Sequence, residues 1–252
     1  MIDFSLEGKT ALITGASRGI GEAAAKTLAA HGAHCILVSR KAESLEKVAE
    51  QIRKDNGEAT VLACHMGHMD QIKALFEEVK TRFKGLDILI NNAATNPFFG
   101  MMVDADEGIW DKTFDVNLKG PFFMIKNAAA LMASSGGGAI VNVSSVNGLR
   151  PAMFQGIYSI SKTALISMTQ AFAKELASSN IRVNALLPGI TETKFAKAII
   201  DNKDIYKFAI QQVPMGRHAR PDEMSGAMLY LVSDASSYTT GSCIVCDGGY
   251  LA

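Results

Sequence analysis

Tyr158 and Lys162 stand four residues apart in "YSISK", a spacing that puts two side chains on one face of a helix. A free phenol ionises near pH ~10 and a free ammonium near ~10.4, so neither alone trades protons readily at neutral pH. An ammonium ~4 Å from a phenolate is worth about 4 kcal/mol at an effective dielectric near 20. At roughly 1.36 kcal/mol per tenfold change, that brings the phenol from ~10 to near ~7, where a general acid or base works best. The spacing therefore raises the expectation of a tyrosine made into a working acid by its lysine.

Such an acid needs a partner reaction, and a second stretch suggests one. "TGASRGIG" (14–21) carries Gly15, Gly19 and Gly21 between an apolar run and a helical pattern. Glycines let a backbone approach a ligand closely, and a helix N-terminus presents free N–H groups to a pyrophosphate. Glycine spacing by itself is a weak signal; its place between strand and helix strengthens it.

The elements that must hold these residues alternate along the chain. Apolar strands are expected at 10–14, 34–39, 59–64, 87–91, 138–145, 182–188 and 243–246. Helical patterns fill about 20–31, 42–56, 69–83, two stretches within 105–133, 156–178, 193–212 and 221–233. Strands that run apolar without alternation are buried on both faces. The expected fold class is α/β, a single-domain, doubly wound (Rossmann) parallel sheet with helices on both faces. No Pro/Gly-rich linker divides residues 1–252, and about 190–215, which lack glycine after Gly189, read as a substrate lid. In such sheets ligands bind outside the carboxyl ends of the strands.

"TGASRGIG", "NNAA" (91–94), Ser145, "YSISK" and "LPGITET" (187–193) occur in the order found in the short-chain dehydrogenase/reductase family. Nearly the whole chain resembles that family, and looks most like its NADP-dependent carbonyl reductases and 3-oxoacyl-carrier-protein reductases. The resemblance implies that Tyr158 gives a proton to a carbonyl. It implies that Ser145 polarises the carbonyl oxygen and that Lys162 holds the nicotinamide ribose. Asn117, in "DVNLKG", would hold a relay water toward Lys162. It also implies cofactor contacts from Gly15, Ser17, Arg18, Gly19, Ile20 and Gly21. Further contacts would come from His65 and Met66, from Asn92, Ala93 and Ala94, and from Pro188, Gly189, Ile190 and Thr193. Many relatives carry aspartate at the position of His65, where it touches the adenine amino group, and "NNAA" replaces a common form ending in glycine.

The choice of nicotinamide cofactor rests on "LVSRK" after the second strand. A carboxylate there would hold a ribose 2′-OH and select NAD. The chain instead has Ser39, Arg40 and Lys41, with no acidic residue in 36–42. A guanidinium pairs with a 2′-phosphate in a charge-assisted, bidentate way, and Arg18 can meet the same phosphate. NADP(H) is the expected cofactor.

Substrate is less determined. Phe98, Phe99, Met101, Met102, Met153, Phe154 and Phe195 border the expected site and suit an apolar or aromatic ketone, while Arg150 would suit an anionic one. A 3-oxoacyl thioester is the alternative substrate. A non-catalytic NADP-binding regulator is a third reading, which an intact Ser145, Tyr158 and Lys162 argue against. Lys plus Arg equals Asp plus Glu, at 25 each among 252 residues, so no net field draws nucleic acid or a membrane surface. No secretory leader or membrane span is evident, and Cys35, Cys64, Cys243 and Cys246 read as reduced thiols of a cytoplasmic protein. "CIVC" reads as a short buried strand rather than a redox pair, and Cys64, His65, His68 and Asp70 match no zinc spacing, so no metal is expected. The family resemblance further implies a homotetramer.

Overall fold

Seven strands pair in parallel in the order β3-β2-β1-β4-β5-β6-β7. They are β1 (Thr10–Thr14), β2 (His34–Ser39), β3 (Glu58–Ala63), β4 (Ile88–Asn91), β5 (Gly138–Val143), β6 (Ile181–Pro188) and β7 (Cys243–Cys246). The structure, a computed structural model, describes residues 3–194, 196 and 200–252. The apolar runs form strands because both faces of the sheet are covered. In β1, Ala11 and Ile13 pack into one helical layer and Leu12 into the other. The first layer holds α1 (Gly19–Ala30), α2 (Ala42–Lys54) and α8 (Ser225–Val232), through side chains such as Leu28, Leu45 and Met228. The second holds α3 (Met69–Arg82) and α5 (Gly120–Ser134), through Ile72, Phe76, Met124 and Ile125. The long α6 (Gly156–Leu176) joins that second layer through Ala173.

Strand order reverses between β1 and β4, and that reversal opens a cleft beyond their carboxyl ends. Three segments depart from the expectation. The helices within 105–133 are α4 (Glu107–Phe114) and α5, fused through a π-helical turn at Asp115–Lys119 that holds Asn117. The helix expected across 193–212 is described as α7 (Lys203–Ile210), started by Asn202, whose side chain caps the N–H groups of Asp204 and Ile205. Residues 195 and 197–199 of that stretch lie outside the described residues. β7 is not buried: it is the last strand of the sheet and, among the described residues, pairs with β6 alone, so Cys243 and Cys246 are half-exposed. No helix among the described residues is long and apolar enough to cross a membrane.

Candidate active site

α6 begins just past the carboxyl end of β5 and carries "YSISK" along its first turns. Tyr158 and Lys162 are both buried. Ser145 follows β5, and its hydroxyl is hydrogen-bonded to the Tyr158 phenol. The same hydroxyl accepts the Asn147 N–H at 3.1 Å, which fixes it at the start of a short 3-10 turn. Ser144 points elsewhere: its hydroxyl donates to the Lys162 carbonyl at 2.9 Å. The structure thus brings Ser145, not Ser144, to the tyrosine.

Lys162 lies differently from the sequence expectation. Its Nζ donates to the Val143 carbonyl at 2.8 Å and sits 5.6 Å from the centre of the Tyr158 ring. Burial pushes the lysine down to about 7. Burial also pushes the phenol above its ordinary value, opposed only by the Ser145 hydrogen bond. The expected lowering of Tyr158 by Lys162 is therefore corrected. Helical spacing puts the two on one face, but desolvation outweighs an ammonium turned toward a backbone carbonyl.

Asn117 is fully buried and bridges two segments. Its Oδ1 accepts the Thr95 N–H at 2.8 Å, while Nδ2 donates to the Thr95 carbonyl at 2.9 Å and to Ser161 Oγ at 3.1 Å. The π-turn thereby ties the loop after β4 to the helix that carries Tyr158 and Lys162. Sequence reasoning passed over Thr95 and Ser161. It also passed over Thr14, whose hydroxyl oxygen accepts the N–H groups of Asn92 (2.9 Å) and Ala93 (3.0 Å). A polar residue ending an apolar strand, directly before Gly15, was the available signal.

The loop after β1 is shaped for close approach. Gly15 and Gly19 have φ of +67° and +61°, a region that disfavours other residues. A Cβ at Gly15 would stand 2.8 Å from Asn92 Nδ2, and one at Gly21 would stand 2.5 Å from both that atom and the Gly15 carbonyl. Asn92 Nδ2 donates to the carbonyls of Thr14 (3.0 Å) and Gly15 (3.3 Å), which leaves the strip 92–94 only its carbonyls and the Ala94 N–H to offer a ligand. Ser17 and Ile20 are half-buried beside exposed Arg18. Arg18 and Arg40 make no ion pair among the described residues, and Ser39 ends β2 with its hydroxyl donating to the Lys41 carbonyl (3.4 Å). A glycine cradle at a helix N-terminus with two unpaired guanidiniums fits a dinucleotide bearing a further phosphate.

On the other side of the switch point, Pro188 ends β6 and the Gly189 N–H bonds to the Cys246 carbonyl. The Ile190 carbonyl accepts from Ala219. Thr193 packs its methyl 3.0 Å from where a Gly19 Cβ would be, and its hydroxyl accepts the Ala196 N–H at 3.3 Å. It therefore both caps a turn and touches the glycine loop. His65 and Met66 follow β3, with Met66 buried and His65 half-buried. The rim is apolar: Phe99, Met101, Met102, Met153 and Phe154 are exposed, and Phe98 is half-buried. Phe154 is held at φ +65° by its carbonyl's bond to the Gly100 N–H (3.0 Å), with its ring 5.7 Å from Phe99. Phe195 lies outside the described residues. Arg150 lies 5.2 Å over the Tyr250 ring, an existing partner that lessens its availability to an anionic substrate. No three His, Cys, Asp or Glu side chains among the described residues gather as a metal-binding group.

Comparison with known proteins places this geometry in a family. The family model described as "Enoyl-(Acyl carrier protein) reductase" matches residues 15–251. The rabbit (Oryctolagus cuniculus) protein "Dehydrogenase/reductase SDR family member 4" is 38% identical over 244 residues, covering 97% of this chain and 94% of its own. A gluconate 5-dehydrogenase from Burkholderia cenocepacia, solved in complex with NADP and tartrate, superposes with a TM-score of 0.94 at 30% identity, covering 98% and 97% of the two chains. A 3-oxoacyl (acyl-carrier-protein) reductase from Agrobacterium tumefaciens, solved with NADP bound, gives 0.92 at 32% identity, covering 97% and 95%. With its parallel sheet, its glycine loop and its Ser145–Tyr158 pair over Lys162, the chain belongs to the short-chain dehydrogenase/reductase family of oxidoreductases.

Proposed function

We propose that this protein reduces an apolar or aromatic ketone to a secondary alcohol with NADPH. The observation that carries the reading is the hydrogen-bonded Ser145–Tyr158 pair at the carboxyl end of β5, with buried Lys162 against the tyrosine ring. When bound, NADPH supplies the hydride. The chain supplies the rest. Ser145 and Tyr158 each donate a hydrogen bond to the carbonyl oxygen, and that oxygen gains charge as the reaction proceeds. Tyr158 then gives its proton to the oxygen. Because burial raises the phenol, it stays protonated throughout the neutral range, which is the state reduction requires. An alkoxide is a far stronger base than a phenolate, so the transfer runs downhill. Oxidation of the alcohol would run the same path in reverse through the phenolate, the state that burial disfavours.

Arg40 and Arg18 are assigned to the 2′-phosphate, and the glycine loop to the pyrophosphate. Asn117 acts as a positioning residue, with any relay water resting on its carbonyl or the second lone pair of Oδ1. The unit is read as one domain whose segment at about 190–215 covers the substrate, and copies are read as associating into a homotetramer.

Following NADPH absorbance over a panel of carbonyls tests the reading. Turnover of aryl ketones, with Tyr158→Phe abolishing it while NADPH binding holds, is the expected result; appreciable turnover by that variant removes the tyrosine from its role. The similarity to a 3-oxoacyl (acyl-carrier-protein) reductase supports a second substrate class. Preference for acetoacetyl thioesters over aryl ketones would select it.

A further inference from the structure

α7 is held by little. None of its residues is fully buried: Tyr206, Ala209 and Ile210 are half-buried on its less exposed side, while Phe208 is 68% exposed. Asn202 caps its start, and past its other end the Met215 N–H bonds to the Gly248 carbonyl at 3.1 Å. Between those points, the Tyr206 hydroxyl makes the one side-chain hydrogen bond from α7 to another segment among the described residues. It lies 2.8 Å from His218 Nδ1, with the two rings edge to face at 5.6 Å.

His218 is itself fixed on both sides. The Arg217 guanidinium donates to the His218 carbonyl at 3.1 Å and to the two carboxylate oxygens of Glu223 at 2.8 and 2.7 Å. Ala219 forms a parallel bridge with Thr191: its N–H bonds to the Ile190 carbonyl (2.9 Å), and the Glu192 N–H bonds to the Ala219 carbonyl (2.8 Å). The Glu192 carboxylate stands 3.8 Å from His218 Nε2. A carboxylate on that side draws the ring hydrogen to Nε2 and leaves the Nδ1 lone pair for the phenol's hydrogen. His218 is thus joined to the strip 190–193 after β6, whose Thr193 touches the glycine loop. Through it, α7 is tied to the cofactor side of the cleft.

We propose that His218 is a positioning residue: by accepting the Tyr206 hydroxyl it holds α7 to the strip after β6 and so sets how well a ketone is enclosed beside the cofactor. The inference rests on the reading of about 190–215 as the substrate cover. A half-buried phenol can exchange this bond for water, so its loss shifts the balance between held and released helix by about threefold to tenfold. A released helix leaves a smaller fraction of the protein ready to enclose substrate, which raises KM and leaves the chemistry of an enclosed ketone unchanged.

Amide hydrogen exchange of the full-length protein with NADPH, and kinetics on the fastest ketone of the panel above, test this together. Tyr206→Phe keeps the ring and drops the hydroxyl. Amides of α7 should then exchange about threefold to tenfold faster, while those of α6 keep their rates. KM for the ketone should rise by a similar factor, with kcat within about twofold. His218→Leu should match Tyr206→Phe, and the two changes together should do no more than either alone. His218→Asn puts an amide oxygen where Nδ1 stands and should restore slow exchange and the low KM. A role in packing alone would show the reverse, being disturbed by the smaller side chain and untouched by loss of a hydroxyl. Unmoved α7 exchange in Tyr206→Phe, or His218→Asn behaving as His218→Leu, overturns the assignment and leaves the cover reading standing. Faster exchange with an unmoved KM overturns the cover reading, and the part of His218 in the reaction with it.

Discussion

Lys162 is a cation held against a backbone carbonyl and a ring face, with its folded-state value pushed down to about 7 by burial. In the unfolded chain the same group titrates near ~10.4. Between those values the unfolded state binds more protons, so this group makes stability rise as pH climbs from about 7 toward about 10, by at most about 1.36 kcal/mol per pH unit. Lys162→Met removes the titration while filling similar space. Denaturant unfolding of both proteins at several pH values should show the wild type gaining on the variant across that window; parallel profiles would mean that the lysine keeps its proton in the fold. The two neighbouring serines make a sharper pair. Ser145→Ala removes a donor to the reacting oxygen and should lower kcat on the order of 10²-fold or more. Ser144→Ala loses a bond to the Lys162 carbonyl and should cost about 1 kcal/mol of stability with little effect on kcat. Equal kinetic effects would contradict the division of roles. At the other end of the cleft, Arg40→Asp should weaken NADPH binding roughly tenfold to a hundredfold through loss of a charge-assisted pair. Its preference should move toward NADH, and a preference that stays put would clear Arg40 of that role.

The entry to α1 is the element on which cofactor binding turns. Gly21→Ala places a methyl 2.5 Å from both Asn92 Nδ2 and the Gly15 carbonyl, so the loop after β1 and the strip after β4 must separate. Overpacking of this kind typically costs about 1–3 kcal/mol. NADPH affinity should fall with it, and a variant with native melting and native affinity would show that the contact is soft. Strands and most helices were legible in the sequence because their apolar patterns report burial directly: "TALIT" and "HCILVS" are strands at their expected bounds. The π-turn was not legible, since one inserted residue between α4 and α5 hardly disturbs a helical pattern. Nor was the exposed edge of β7, because "CIVC" looks as apolar as a central strand and its place at the end of the sheet is a property of pairing. In the candidate site, spacing showed that Tyr158 and Lys162 share a face. It could not show that Nζ turns toward Val143, because burial and rotamer belong to the packed chain. Ser145 was separable from Ser144 only by resemblance until their hydrogen bonds were seen.

At the scale of the whole molecule, zero formal charge leaves no net repulsion between copies, and the sheet's second layer leaves apolar surface uncovered. A groove between α5 and α6 is lined by Phe114, Leu118, Phe122, Ala164, Met168 and Ala171, and Phe122 is 41% exposed beside Phe172. This face suits the assembly proposed above, because two copies of this helix pair can bury the same residues across a two-fold axis. The protein should therefore elute from size exclusion well above its 26.9 kDa monomer mass. Ala171→Glu puts a carboxylate on the exposed side of α6, away from Tyr158 and Lys162, and burying that charge at an interface is costly. The variant should elute as a smaller species while its circular dichroism keeps the wild-type shape. A wild type that elutes at the monomer mass sinks the assembly, and a variant of unchanged size moves the contact off this groove. Ketone turnover by a dissociated variant would further show that each copy carries a complete site, as expected if Ser145, Tyr158 and Lys162 of one chain act without a residue from its neighbour.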